Sequence, residues 1–537
     1  MKNKNRLVIS SKWMTILLSV YFLLFLNLSF WRKAYEVVDI SNASVVVFGV
    51  SLPLFIFSGL LIIISLLLWP YLGRPLITIL LIASSVANYV MYQYGIYIDS
   101  DMVRNVFETN PNEALDLVNL NGILWVFFFG VIPSLLFLKT KIIYQPVLKE
   151  LKLRAGLLAV ALLIFTTIAI VSYKEYVVFG RNNREITRLI NPTNYIYATF
   201  RYFQRQALAK KVFAEIDENP NHSPYQKEHI RVFVLVVGET ARAMNFSLNG
   251  YERLTNPLLS GQDVISFQDV KSSGTATAFS LPAMFSSLPR KDFKVADAPF
   301  RENLIDLIQK AGYDVLWKEN DFGCKKVCSR VPTVDMVKLN NPGYCDGSYC
   351  YDGVLIDDLD EYLKTLTKDT FIVLHAMGSH GPTYYKRYPD EFKKFQPTCD
   401  TSEIQNCSKE AIVNTYDNTI AYTDFVLSET IDILKRFPQF ETGLLYLSDH
   451  GESLGESNIY LHGLPYSIAP DEQVKVPMIL WMSEAMKEAE TINYDCLRES
   501  SERPMSHDNL FHSLLSLMQV DSTTYDENLD LFKPCRK

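Results

Sequence analysis

Carboxylates and imidazoles stand directly after the short apolar runs in the second half of this chain. Glu239 follows Val232–Val237, His375 and His380 follow Phe371–Leu374, and the pair Asp449-His450 follows Leu444–Leu447. Four of the eight histidines fall between positions 375 and 462, the last of them His462. Such side chains are the natural donors to a hydrolytic zinc, and adjacent Asp449-His450 can present two donors from one turn. Glu239, arriving from another strand, supplies a third, and a catalytic zinc keeps one position for a substrate or nucleophile oxygen. Taken singly, each residue reads as a cap, a salt-bridge partner or a structural histidine. Their joint placement is what points to metal chemistry.

A hydroxyl nucleophile has a candidate location in Ser272–Pro282, where small residues lead into the first turn of a helix. A hydroxyl there lies near free backbone N–H groups and is favourably placed for a phosphate anion. Coordination to zinc lowers a hydroxyl's pKa and makes it nucleophilic at neutral pH. Alone, the stretch is a Ser/Thr-rich turn.

The elements that position these residues follow from hydrophobic periodicity. Val232–Val237, Asp314–Trp317, Phe371–Leu374, Leu444–Leu447 and Val476–Leu480 read as buried strands. Between them Asn303–Ala311, Gly353–Leu366 and Ala411–Arg436 carry apolar residues at helical spacing, and Gly312 is placed to stop the first. Strands alternating with helices predict a mainly parallel, doubly wound α/β sheet, which puts its site beyond the carboxyl ends of the strands.

The first half is different. Five apolar runs approach the roughly 20 residues needed to cross a bilayer: Trp13–Trp31, Ser44–Trp69, Leu76–Ile98, Ile123–Leu138 and Ala155–Ser172. The fourth is short and counts only if Leu120 and its neighbours extend it. Lys2, Lys4, Arg6 and Lys12 precede the first run, Arg74 follows the second, and Lys139, Lys141, Lys149, Lys152 and Arg154 separate the last two. With five spans these regions share one side, which the positive-inside rule makes cytoplasmic. The first outer loop carries Arg32 and Lys33, offset by Glu36 and Asp39. The second half then lies outside. A cleaved signal peptide is the alternative for the first run, but no small-residue cleavage site follows Phe30. The expected organisation is a five-span membrane domain over 1–172, a juxtamembrane linker over 173–230 and a catalytic domain over 231–537. The linker stretch Tyr195–Phe203 suits an interfacial helix or an ordinary connecting helix.

All eight cysteines come after residue 320, as Cys324/Cys328, Cys345/Cys350, Cys399/Cys407 and Cys496/Cys535. Close pairs confined to one half fit disulfides formed in an oxidising compartment, with neighbours paired as the simplest connectivity. Structural zinc is the rival reading, though neither CxxxC nor CxxxxC is the usual knuckle spacing and no histidine lies close by. The net charge of −7, with no basic arm, argues against a nucleic-acid partner.

Five stretches in order, Val237–Arg242, Ser273–Thr277, Gly378–Pro382, Ser448–Ser453 and Tyr460–Gly463, resemble the phosphoethanolamine transferases, inner-membrane members of the alkaline phosphatase superfamily. The segment Asn245–Pro257 resembles the lipid A subgroup, which includes the colistin-resistance enzymes. The resemblance implies Glu239, Thr277, Asp449 and His450 as zinc ligands, with Thr277 the nucleophile. It implies that His380 and His462 assist the phosphate or bind a second zinc. It also implies Lys325, with Lys326 as its rival, for the substrate phosphate, and Asn105 and Thr109 for the donor. Where many relatives bridge two cysteines around the nucleophile, this chain has Ser273 and Ala283, from which a more mobile turn is expected. The implied reaction moves phosphoethanolamine from phosphatidylethanolamine through a phosphoethanolamine-threonine intermediate to a phosphate of lipid A, in a monomeric membrane enzyme. The rival acceptor is a lipopolysaccharide core sugar or another envelope glycan. Other rivals are a phosphoglycerol transferase, a sulfatase-like hydrolase, against which the Thr in the nucleophile position speaks, and a catalytically dead lipid-binding scaffold.

Overall fold

The computed structural model describes residues 7–37, 43–108, 117–183, 185–209, 211–222 and 229–537. The expected donor-binding Thr109 and the basic residues Lys2, Lys4 and Arg6 lie outside the described residues. Two compact units emerge, one of residues 1–103 and 118–202, the other of residues 104–117 and 203–537.

Among the described residues of the first unit, four helices are long and apolar enough to cross a membrane: Val47–Leu67, Gly73–Tyr94, Leu120–Lys139 and Val147–Val171. A fifth candidate is a bent pair, Ser11–Phe25 and Leu28–Glu36, with a 52° change of direction. The expected first span therefore breaks, and Asn27 stands at the break. Its fully buried amide donates to Phe22 O at 2.9 Å and to Asn191 O at 3.0 Å, and accepts from Asn191 N–H at 2.8 Å. Backbone groups freed in an apolar environment must find such partners. The fourth span does extend to Leu120, capped by Asn119, whose side chain accepts from Gly122 N–H at 2.8 Å. Leu17, Leu24, Ile79, Phe128, Leu136, Leu163 and Ile170 point outward from these helices, as lipid-facing residues do. The stretch Tyr195–Phe203 lies in the helix Thr193–Leu208.

The second unit is built on a seven-stranded sheet. Its strands, numbered in chain order, are β1 (Ile230–Gly238), β2 (Ile265–Phe267), β3 (Asp314–Glu319), β4 (Thr333–Asp335), β5 (Thr370–His375), β6 (Phe440–Ser448) and β7 (Met478–Met482). The spatial order is β2-β7-β6-β1-β5-β3-β4. Strands β6, β1, β5, β3 and β4 run parallel, while β7 pairs antiparallel with both β6 and β2. Val232–Val237, Phe371–Leu374 and Leu444–Leu447 are buried throughout, because helices cover both faces of a parallel sheet. That two-sided burial is why these strands read as continuous apolar runs.

Two expected elements differ in detail. Val476 precedes its strand, and Gly353–Leu366 is a 3₁₀ turn, Asp352–Leu355, followed by a separate helix, Leu359–Lys364. The carboxylate of Asp352 accepts from Met377 N–H and Gly378 N–H, each at 2.8 Å, and so is committed to the loop after β5. Ser408 caps the long helix Lys409–Lys435 by accepting from Ala411 N–H at 3.1 Å. All four neighbouring cysteine pairs form disulfides.

Candidate active site

Register along the sheet decides which residues meet. Ser448 at the end of β6 is level with Gly238 at the end of β1, and Val237 is level with His375 at the end of β5. The next residues, Glu239 and Asp449-His450, therefore leave adjacent parallel strands at the same height. Gly238 cannot be larger, because a Cβ there would lie 2.5 Å from the Tyr446 hydroxyl.

Thr277 is the first residue of the helix Thr277–Met284. Its Oγ1 is 3.2 and 3.1 Å from the two carboxylate oxygens of Glu239 and 3.3 Å from His450 Nε2. His450 Nε2 is 3.3 Å from Glu239 and 3.5 Å from Asp449 Oδ2. All four expected ligands are thus in one cluster. The Nδ1 of His450 faces Gly451 O at 2.9 Å and donates to it, which turns Nε2 toward the carboxylates.

The electrostatics of the cluster follow from its burial. Burial raises Asp449 well above the carboxylate range, and the charge of Glu239 beside it adds to the effect. Burial also pushes Glu239 up, but His450, His380 and His462 outweigh it and hold Glu239 well below its usual value. For His450, burial acts downward, yet Asp449 and Glu239 raise it to about 10. Among the described residues no donor makes a hydrogen bond to Asp449 Oδ2, which is fully buried. Ligand atoms of Glu239, Asp449 and His450 lie within 4.8 Å of one another. Two buried carboxylates and an imidazole with an unsatisfied oxygen among them fit a divalent cation, which relieves the repulsion that burial magnifies.

His380, His462 and Lys325 line the cavity onto which Thr277 opens, together with Asp321, Phe322, Asn105 and Glu108. The rings of His450 and His462 are 4.4 Å apart, and those of His462 and His380 5.9 Å apart. Lys325, and not its rival Lys326, faces this cavity; both have φ in the left-handed region, inside the Cys324–Cys328 loop.

Several contributors have no role in the sequence reading. Glu452 accepts from His462 Nδ1–H at 2.8 Å and from the Tyr384 hydroxyl at 2.5 Å. Glu452 lies in a quoted motif, whereas Tyr384 carries no sequence signal. The turn lacking the cysteine pair is tied by other means. Ser273 N–H donates to His507 Nδ1 at 3.1 Å, Arg290 Nε donates to Ser273 O at 2.7 Å, and the Tyr466 hydroxyl donates to Ser272 O at 2.9 Å. Ser280, one turn into the helix that Thr277 begins, donates to Asp449 O.

Comparison with known proteins follows the same division of the chain. Residues 56–207 match the family model described as phosphoethanolamine transferase EptA/EptB, and residues 231–520 match the sulfatase model. Phosphoethanolamine transferase EptA of Escherichia coli (strain K12) is 41% identical over 529 residues, covering 97% of this chain and 96% of that protein. Phosphatidylethanolamine transferase Mcr-2 of Escherichia coli is 34% identical over 508 residues, 92% of each. The solved integral membrane protein lipooligosaccharide phosphoethanolamine transferase A (EptA) from Neisseria meningitidis superposes with a TM-score of 0.97 at 38% identity. That match spans 99% of this chain and 100% of that one.

Proposed function

The chain belongs to the phosphoethanolamine transferases, and on that premise we propose that it moves phosphoethanolamine from phosphatidylethanolamine to a phosphate of lipid A through a covalent adduct on Thr277. The observation that carries this reading is the convergence of Thr277 Oγ1 on Glu239 and His450 at 3.1–3.3 Å, beside a cavity lined by His380, His462 and Lys325.

Glu239, Thr277, Asp449 and His450 would hold a zinc ion, and His380 and His462 would assist the phosphate or hold a second ion. When bound, zinc supplies positive charge that lowers the hydroxyl pKa and offsets charge on the phosphate. The protein's own groups do the rest. The Oγ1 of Thr277 attacks the phosphorus of phosphatidylethanolamine, its proton passing toward the Glu239 carboxylate. The bond from phosphorus to the glycerol oxygen breaks, and diacylglycerol leaves after taking up a proton. A lipid A phosphate oxygen then attacks the adduct, and the bond from phosphorus to Oγ1 breaks to restore Thr277. Lys325, His380 and His462 stabilise the phosphate oxygens in both steps. Asn105, which lines the cavity, would orient the donor headgroup.

Both lipids are membrane-bound, which explains the apolar helices. In this reading the enzyme is an inner-membrane monomer, its amino terminus cytoplasmic and its catalytic domain periplasmic, an orientation that the Lys and Arg bias supports. Adding an amine to an acidic lipid reduces surface charge and weakens binding of cationic peptides such as polymyxin.

The test is mass spectrometry of lipid A from cells expressing the wild type or Thr277→Ala. A phosphoethanolamine-sized increment on lipid A with the wild type alone supports the reading. Its absence, with the increment on core sugar instead, replaces the acceptor.

A further inference from the structure

Among the described residues, acidic and histidine side chains close enough to share a metal ion form two sets, and the site above uses one of them. The other is Glu239, Asp321 and His375, all buried, with ligand atoms within 4.8 Å of one another. Neither His380 nor His462 belongs to either set.

Strand order explains how one carboxylate serves twice. Glu239 leaves β1, at the centre of the sheet. Asp449 and His450 come from β6 on one side of it, while His375 and Asp321 come from β5 and from just beyond β3 on the other.

The two ring nitrogens of His375 stand in contrasting surroundings. Its Nδ1 lies 2.9 Å from both oxygens of Glu319 and donates to that carboxylate. Glu319 is itself fixed, accepting from Trp317 Nε1–H and Asp321 N–H, each at 2.9 Å. A carboxylate that orients the far nitrogen is the usual partner of a metal-bound histidine. The opposite nitrogen, Nε2, is fully buried and has no hydrogen-bond partner among the described residues. Asp321 Oδ2 is 3.9 Å away, beyond hydrogen-bond range, and among the described residues no donor reaches Asp321 Oδ1. Two buried carboxylates facing an unsatisfied imidazole nitrogen make a costly arrangement without a cation among them.

We propose that Glu239, Asp321 and His375 form a second divalent-cation position, with Glu239 shared between the two. Two carboxylates and one imidazole suit zinc or manganese. Asp321 also lines the cavity beside Thr277, so this position borders the space where a substrate phosphate is to bind. The inference rests on reading Glu239, Asp449 and His450 as the first centre, and the test separates the two.

Full-length protein in detergent is stripped with chelator, titrated with zinc alone, and its bound metal counted by elemental analysis. The wild type is expected to hold two ions per chain, and Asp321→Asn and His450→Gln one each. A wild type holding one ion, kept by Asp321→Asn and lost by His450→Gln, overturns the second position and leaves the first standing. A wild type holding none overturns both. Should Asp321→Asn fail to fold, anomalous diffraction from zinc-soaked wild-type crystals decides. A peak bounded by Glu239, Asp321 and His375 supports the proposal. No peak there, or a second peak between His380 and His462 instead, overturns it.

Discussion

The Nδ1 of His462 donates to a carboxylate oxygen of Glu452 at 2.8 Å, and Glu452 is fully buried. With the second Glu452 oxygen engaged by Tyr384, the carboxylate is held in place and orients the imidazole; in the proposed reaction its Nε2 meets the phosphate. Glu452→Gln keeps the shape but weakens this hold. The expected result is a transfer rate lower by about 10–100-fold, the usual loss for such a supporting residue. Tyr384→Phe should lose less. Rates measured with purified protein and a fluorescent phosphatidylethanolamine check both, and an unchanged Glu452→Gln rate removes His462 orientation from the account.

Gly378 supports the loop that carries His380 and cannot carry a side chain. Its φ is +53°, and a Cβ would lie 2.5 Å from the carbonyl oxygen and 2.9 Å from the amide nitrogen of Glu239. Gly378→Ala must therefore displace either this loop or the Glu239 backbone. It is expected to cost roughly 1–3 kcal/mol of stability and to weaken zinc binding, read by thermal unfolding with and without metal. Gly261→Ala is the control, because a Cβ there meets nothing within 4 Å; it should stay within about 0.5 kcal/mol of the wild type.

His507 makes stability depend on pH. Its Nδ1 accepts from Ser273 N–H, so the proton sits on Nε2, which donates to Ser448 O at 3.0 Å. Burial pushes its pKa down to about 3. The unfolded chain binds this proton near the ordinary value of about 6.5, whereas the folded protein refuses it until far lower. The contribution is therefore full above about 6.5 and is lost as pH falls toward about 3, with a slope of at most about 1.4 kcal/mol per pH unit. Unfolding temperatures of the full-length protein should fall on acidification, and less steeply in His507→Gln. Parallel curves for the two would contradict the assignment.

Much of this was legible in the residues, for identifiable reasons. Strands buried on both faces read as apolar runs, and polar residues at their ends mark the edge where a parallel sheet places its chemistry. That rule reaches Glu239, His375 and Asp449-His450. It reaches Asp321 too, once β3 is followed to its end at Glu319 rather than Trp317. The three-residue strands β2 and β4 are too short to carry a period. Asn27 was hidden because one polar residue in an apolar run does not announce a bend. Tyr384, His507 and Arg290 act through contacts across 68, 234 and 17 positions, separations that no local pattern encodes.

In the proposed reaction Thr277 Oγ1 is the atom that receives phosphorus. Full-length protein is to be mixed with phosphatidylethanolamine without an acceptor, quenched in acid, digested and sequenced by tandem mass spectrometry. A phosphoethanolamine-sized increment on Thr277, absent from Thr277→Ala and discharged when lipid A is added before the quench, is the predicted result. Transfer to lipid A that persists in Thr277→Ala, or an adduct on any other residue, would contradict it.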